Sequence, residues 1–207
     1  MSKIVRKIRP SEYWRIGEHE SYFSDMSLMG LHLHKIGTHF IHFKKGEPER
    51  IEYRMEVTQN KSIPYEQIDL YEDNGWEYVT SYQYFHVFSS PEESNAPEIH
   101  TDPAEQAYTL QRLSKILLVN LIAMSLIVPL SFGLLSATWF LDGTPVLRLV
   151  EGHIIQQSIM SIILLFYVYY SIGAARAIRS LKRDLKEGKA INHHAPWQNS
   201  LHKNSVF

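Results

Sequence analysis

The sequence predicts an α+β fold: a small cytoplasmic domain built on an antiparallel sheet with two helices on one face, followed by a two-helix transmembrane hairpin. Three observations carry that expectation. Residues 116–141 and 152–175 are each free of Asp, Glu, Lys and Arg, and each exceeds the ~20 residues needed to cross a hydrocarbon core. Short alternating runs punctuated by glycine and proline fill the front of the chain, the pattern of strands joined by turns. Among them, apolar residues twice recur at helical spacing.

The elements follow in order. Residues 3–8 alternate weakly, Pro10 interrupts them, and Tyr13-Trp14-Arg15-Ile16 resumes the pattern; the second piece is the expected first strand. From about Glu18, Tyr22, Phe23, Met26 and Met29 recur at helical intervals, and Gly30 stands where a left-handed C-terminal stop is needed. Residues 31–36, 38–44 and 50–57 read as strands, broken by Gly37 and by the turn Lys45-Gly46-Glu47-Pro48. In the last of them Ile51, Tyr53, Met55 and Val57 share one face and Glu52, Arg54 and Glu56 the other, as in a half-buried antiparallel strand.

Pro64 opens a second helix over 65–73, with Tyr65, Ile68 and Leu70 expected inward and Asn74-Gly75 ending it. Residues 76–81 and 84–89 are two more strands around a Tyr82-Gln83 turn, and 91–97 form a polar loop. Asp102-Pro103-Ala104-Glu105 is a helix start: a capping carboxylate, proline at the first helical position, and Glu three residues after the cap. No breaker follows until Pro129, so one helix is expected from Pro103 through the membrane. The organisation is then a domain over 1–100, a helical neck over 101–115, spans over 116–141 and 152–175, a short extracytoplasmic link over 142–151, and a basic tail over 176–207.

Flanking charge orients the hairpin. Arg112 and Lys115 precede it, and Arg176, Arg179, Lys182, Arg183, Lys186 and Lys189 follow it, while the link has Arg148 beside Asp142 and Glu151. The positive-inside rule then puts both termini in the cytoplasm of a two-span cell-membrane protein. Trp139 and Phe140 would mark the outer interface and Tyr167, Tyr169 and Tyr170 the inner one. Small residues, Ser131, Gly133, Ser136 and Ala137 on the first span and Ser158, Ser161, Gly173 and Ala174 on the second, suit close helix approach, and Gln156 and Gln157 suit a bond across the pair. With no charge inside either span, no proton or ion pathway is expected. Lys3, Arg6, Lys7 and Arg9 lead into Glu12 rather than an apolar run, so no signal peptide is expected and the first span directs insertion.

Composition narrows the chemistry. The absence of cysteine removes disulfides, thiolate zinc sites and cysteine nucleophiles. Residues 1–115 hold 13 Lys and Arg against 18 Asp and Glu, net −5, and residues 176–207 hold 7 against 2, net +5. An acidic domain argues against a nucleic-acid partner, which requires a concentrated basic patch. The basic tail suits the anionic face of a bilayer.

The stretches Met26-Ser27-Leu28-Met29-Gly30-Leu31, Phe43-Lys44-Lys45-Gly46-Glu47-Pro48 with Tyr53-Arg54, Asn74-Gly75-Trp76-Glu77-Tyr78-Val79 and Phe85-His86-Val87-Phe88 resemble a bacterial membrane family, domain of unknown function 2812. The likeness covers about Tyr13 to Phe88 and the hairpin, and Gly75-Trp76-Glu77 is its most distinctive part. Members often accompany PadR-type transcriptional regulators. The resemblance therefore implies a membrane-bound partner or regulator and brings no catalytic residues.

Histidines form the one constellation with metal chemistry. His32, His34 and His42 on adjacent strands share a face in an ideal ladder, and three imidazoles suit zinc or a similar ion. No HExxH or Asp-rich loop accompanies them, and His193 and His194 lie in a tail expected to be flexible. The carboxylates Glu18 and Glu20, or Asp69, Glu72 and Asp73, read as solvated helix faces, and glycines stand singly rather than in a phosphate loop. The sequence thus points to a non-enzymatic protein with no catalytic residue and no cofactor, binding a protein partner or small ligand through Trp76, Tyr78, Tyr84 and His86. Two alternatives stand beside it: a His-dependent metal-binding or hydrolytic domain, and an accessory subunit of a transporter.

Overall fold

A computed structural model describes residues 3–58, 60–100, 102–141 and 147–198. The chain forms two compact units, Met1–Leu113 with Ser180–Phe207, and Ser114–Arg179.

The first unit contains strands β1 (Ile4–Ile8), β2 (Leu31–Ile36), β3 (Phe40–Lys45), β4 (Ile51–Val57), β5 (Glu77–Tyr82) and β6 (Phe85–Pro91), and helices α1 (Ile16–Leu28) and α2 (Tyr65–Asp73). The strands make two antiparallel sheets, β1-β3-β2 (sheet A) and β4-β6-β5 (sheet B), rather than the single sheet expected. The reason is that β1 and β2 occupy both edges of β3. The next strand finds no free edge on its sequence neighbour and founds a second sheet.

The first strand is Ile4–Ile8, not the Tyr13 segment. Its backbone is tied in at both ends, by Arg9 N–H to His39 O at 3.0 Å and by Lys45 N–H to Lys3 O at 3.1 Å. Tyr13 instead anchors the approach to α1. Its hydroxyl donates to Gly37 O, and its ring sits 5.0 Å from Tyr82 and 5.7 Å from Phe85.

Helix α1 buries Ile16, Tyr22, Phe23 and Met26 between the two sheets' inner residues. Phe23 meets Phe43 of sheet A at 6.5 Å and Tyr53 of sheet B at 5.7 Å, both edge-on, a favoured aromatic geometry. Met29 is exposed because the helix ends one residue earlier. Gly30 follows with φ +73°, and a Cβ there would lie 2.6 Å from Gly46 O, so both backbone handedness and space require glycine.

Helix α2 spans the expected residues but shows a different face. Tyr65 is 85% exposed and Leu70 also faces solvent, while Tyr71 joins Ile63, Trp76 and Phe88 in the core with Ile68 against them. Ile68 and Tyr71 are three apart and share a face; Leu70, two positions on, turns to the far side. The β5–β6 hairpin closes on Gln83-Tyr84, with Gln83 at φ 57°.

Helix α3 (Pro103–Leu141) starts where the capping signal placed it, with Ala104 N–H donating to Asp102 Oδ1 at 2.8 Å. It runs unbroken past Pro129. Helix α4 (Leu147–Lys186) begins inside the expected link and continues beyond residue 175. Both contain stretches long and apolar enough to cross a membrane, Gln106–Ile127 and Ser158–Lys186. Ser161, Ser171, Ala174 and Ile178 are buried along α4, whereas a Cβ at Gly173 would meet nothing within 4 Å, so Gly173 is not a close-approach point. Residues 142–146 lie outside the described residues, as do the surroundings of Ser131, Gly133, Ser136, Ala137, Trp139, Phe140, Arg148, Glu151 and Gln157.

Candidate functional site

The residues expected to form a binding surface divide. Trp76 and His86 are each 1% exposed, whereas Tyr78 and Tyr84 are half-buried. Trp76 is a core residue: its indole N–H donates to Pro97 O at 2.7 Å, and the Arg54 guanidinium lies 5.3 Å from its ring centroid. Burial also pushes the His86 imidazole pKa down. Alternation along β5 and β6 did not reveal this, because sheet B is covered on both faces, by α1 on one and by the Ile63-Tyr71-Trp76-Phe88 cluster on the other.

The three strand histidines are not brought together either. A register shift between Leu33 and Lys35 leaves His34 outside the ladder. His32 lies opposite Lys44, and His42 opposite both Arg6 and Lys35, so cations rather than further ligands are their neighbours. His32 Nε2 is engaged with Glu47 O at 2.8 Å. Among the described residues, no group of three His, Asp or Glu side chains is placed to hold a metal ion.

The structure instead assembles a polar cleft of about 180 Å³ that sequence reading missed. It is lined by Glu20 of α1, Arg54, Met55 and Glu56 of β4, Glu98, Ile99 and His100 of the loop before α3, Pro103 and Gln106 of α3, and Ala190, Ile191 and His193 of the tail. Strand β4 is an edge strand of sheet B, and its outward N–H and C=O groups need partners. Glu20 Oε1 accepts from Met55 N–H at 2.7 Å, and Arg54 Nη1 donates to Tyr53 O at 3.0 Å. Two side chains thereby cap the edge.

Each carboxylate in the cleft is also paired. Glu20, 2% exposed, takes His193 Nδ1 on Oε2 at 2.6 Å. Glu98 is gripped at both oxygens by Arg54, from Nε at 2.8 Å and Nη2 at 2.5 Å. That bidentate bond, the strong form of the contact, holds the Glu98 carboxyl below its ordinary pKa. Buried Glu56 pairs with His100 Nε2. No hydroxyl or amine nucleophile stands among the lining residues, and their donors and acceptors face one another. Chemically the arrangement is a joint between tail and domain.

The tail is therefore not a loose appendage. Beyond His193, Trp197 Nε1 donates to Asp25 Oδ2 at 2.6 Å, and its ring stands edge-on to Tyr22 at 4.9 Å. A Cβ at Gly17 of α1 would sit 2.0 Å from Asn192 O, so the absence of a side chain lets the tail backbone reach the helix. The legible signal was the aromatic Trp197 in an otherwise polar segment. Glu20 gave none, because a buried carboxylate at helical spacing looks like a solvated one until its partners are known.

Among known proteins, the family model described as Protein of unknown function (DUF2812) matches residues 15–122. The match takes in Glu20, Arg54, Glu56, Glu98 and His100, and it ends before α4 and His193. No curated protein and no solved structure matches the chain.

Proposed function

The chain belongs to the DUF2812 family, whose function is unknown, and from that premise we propose that it is a membrane-anchored, non-enzymatic binding or regulatory protein. Its α+β domain faces the cytoplasm, receives a protein partner or a small ligand, and passes that state to a regulator of the PadR type or to a membrane complex. The observation that carries the reading is the joint between tail and domain, made by Glu20 with His193 and Asp25 with Trp197. The partners in each pair are separated in sequence by both apolar helices, and a chain that crosses a bilayer twice returns to the side it left. The joint needs that return. Basic residues on both flanks of the helix pair support the cytoplasm as the shared side.

Purification of the full chain from native membranes in mild detergent, with mass spectrometry of what accompanies it, tests the reading. One protein recovered in near-equal amount is the expected result, and its identity names the pathway. Recovery of the chain alone counts against a stable partner, and recovery from the soluble fraction overturns the membrane anchor.

A further inference from the structure

Charge in the domain is segregated in a way that its net value hides. The strands of sheet A contain no Asp or Glu, although the domain as a whole is acidic. Residues directly opposite in an antiparallel ladder share a face. The pairs Ile4–Lys44, Ile8–Phe40, and Arg6 and Lys35 across His42 therefore put three cations and three large apolar side chains on one face. The opposite face carries Leu33, Ile36, Ile41 and Phe43, all buried. Among the described residues, sheet B is covered on both faces and sheet A on one only.

The uncovered face is exposed where it matters: Ile4 51%, Ile8 71% and Phe40 51%. Arg6, Lys35 and Lys44 are exposed as well, and among the described residues they make no ion pair. Along the chain the nearest carboxylate to Lys44 is Glu47, in the turn after β3, and the nearest to Arg6 is Glu12, which is bound to Arg9.

We propose that this outer face of sheet A binds the anionic headgroups of a bilayer leaflet, with Arg6, Lys35 and Lys44 meeting phosphates and Ile4, Ile8 and Phe40 entering the interfacial zone. Cations interleaved with aliphatic side chains are the composition of an interfacial surface, and each Lys or Arg near an anionic leaflet adds attraction. Single-stranded nucleic acid needs several exposed aromatic rings on which bases stack; of the rings on this face Phe40 is exposed, while the imidazoles of His32 and His42 are half-buried. The proposal rests on the membrane-anchored reading above, since two apolar helices keep the leaflet at high local concentration.

The absence of native cysteine supplies a clean test. The full chain carries one environment-sensitive fluorophore at Ile8→Cys, or at Tyr65→Cys on α2 as a control, in nanodiscs of phosphatidylcholine alone or mixed with phosphatidylglycerol. The Ile8 label blue-shifts and brightens only in the mixed discs, high salt reverses the change, and the α2 label stays aqueous. Arg6→Gln and Lys44→Gln each lower the docked-to-free ratio by about fivefold, the equivalent of roughly 1 kcal/mol per cation; salt titration of the labelled chain tests the same attraction without these variants. An Ile8 label that reads water in both lipids, on a chain firmly held by the discs, overturns the proposal and leaves the anchor standing. A chain that never enters the discs overturns both. A label that answers a single-stranded oligonucleotide and not lipid reassigns the face to nucleic acid.

Discussion

His19 lies wholly inside the domain, with Tyr13 at 5.1 Å and Phe23 at 5.9 Å between ring centroids. Its Nδ1–H donates to Arg15 O at 3.2 Å, and desolvation by burial lowers its pKa from 6.5 to about 4. The folded state holds the neutral imidazole while the unfolded chain protonates at the ordinary value, so the unfolded state binds more protons between those two values. Stability is full above about pH 6.5 and is lost as pH falls toward 4, by about 3 kcal/mol for this one group. Unfolding midpoints measured across that range should fall accordingly, and His19→Gln should flatten the dependence; an unchanged slope in the variant would assign it to other groups. Buried His86 acts in the same direction. Neither histidine announced itself in the sequence, where both resembled the exposed His34 and His39. Histidine burial depends on which strand or helix face is covered, and that is a tertiary fact.

At the scale of elements, local rules placed most of what they govern. Gly30 with φ +73°, the Asp102 cap and the Pro64 start all stand where residue type and spacing put them. They act over one turn of chain, so the sequence contains the whole cause. Sheet partnership is different: β4 and β6 pair across α2, and β1 reaches β3 across α1. The β5–β6 turn offers a test of local strain. Gln83 takes φ 57°, a left-handed conformation that costs a residue with a Cβ about 1 kcal/mol or more. Gln83→Gly should therefore stabilise the domain by roughly 0.5–1 kcal/mol despite the greater freedom it gives the unfolded chain. Chemical denaturation reads the difference, and a loss of stability would mean that Gln83 makes a compensating contact.

For the whole molecule, the tail joint is the feature with the widest reach. Residues 190–198 cover α1 through Asn192, His193 and Trp197 and complete the cleft along β4. Truncation after Lys189 should leave Glu20 bound to Met55 N–H but without its His193 partner, and should expose Tyr22. A buried carboxylate that loses its partner costs about 3 kcal/mol. Faster amide exchange in α1 and β4, with β1–β3 unchanged, is the expected pattern for the truncated chain; unaltered α1 exchange would show that the joint does not hold the domain together.

Two long charge-free stretches, a domain of short alternating strands and the capped start of α3 follow from residue type and period. Burial energy and backbone satisfaction act there on neighbouring positions, so the order of residues was enough to specify them. The division into two sheets, the inward turn of Trp76 and His86, the displacement of His34 from the ladder by a single bulge, and the pairing of Glu20 with His193 came from tertiary packing. Each depends on which surface covers which, a relation between residues far apart in the chain that composition and spacing do not encode.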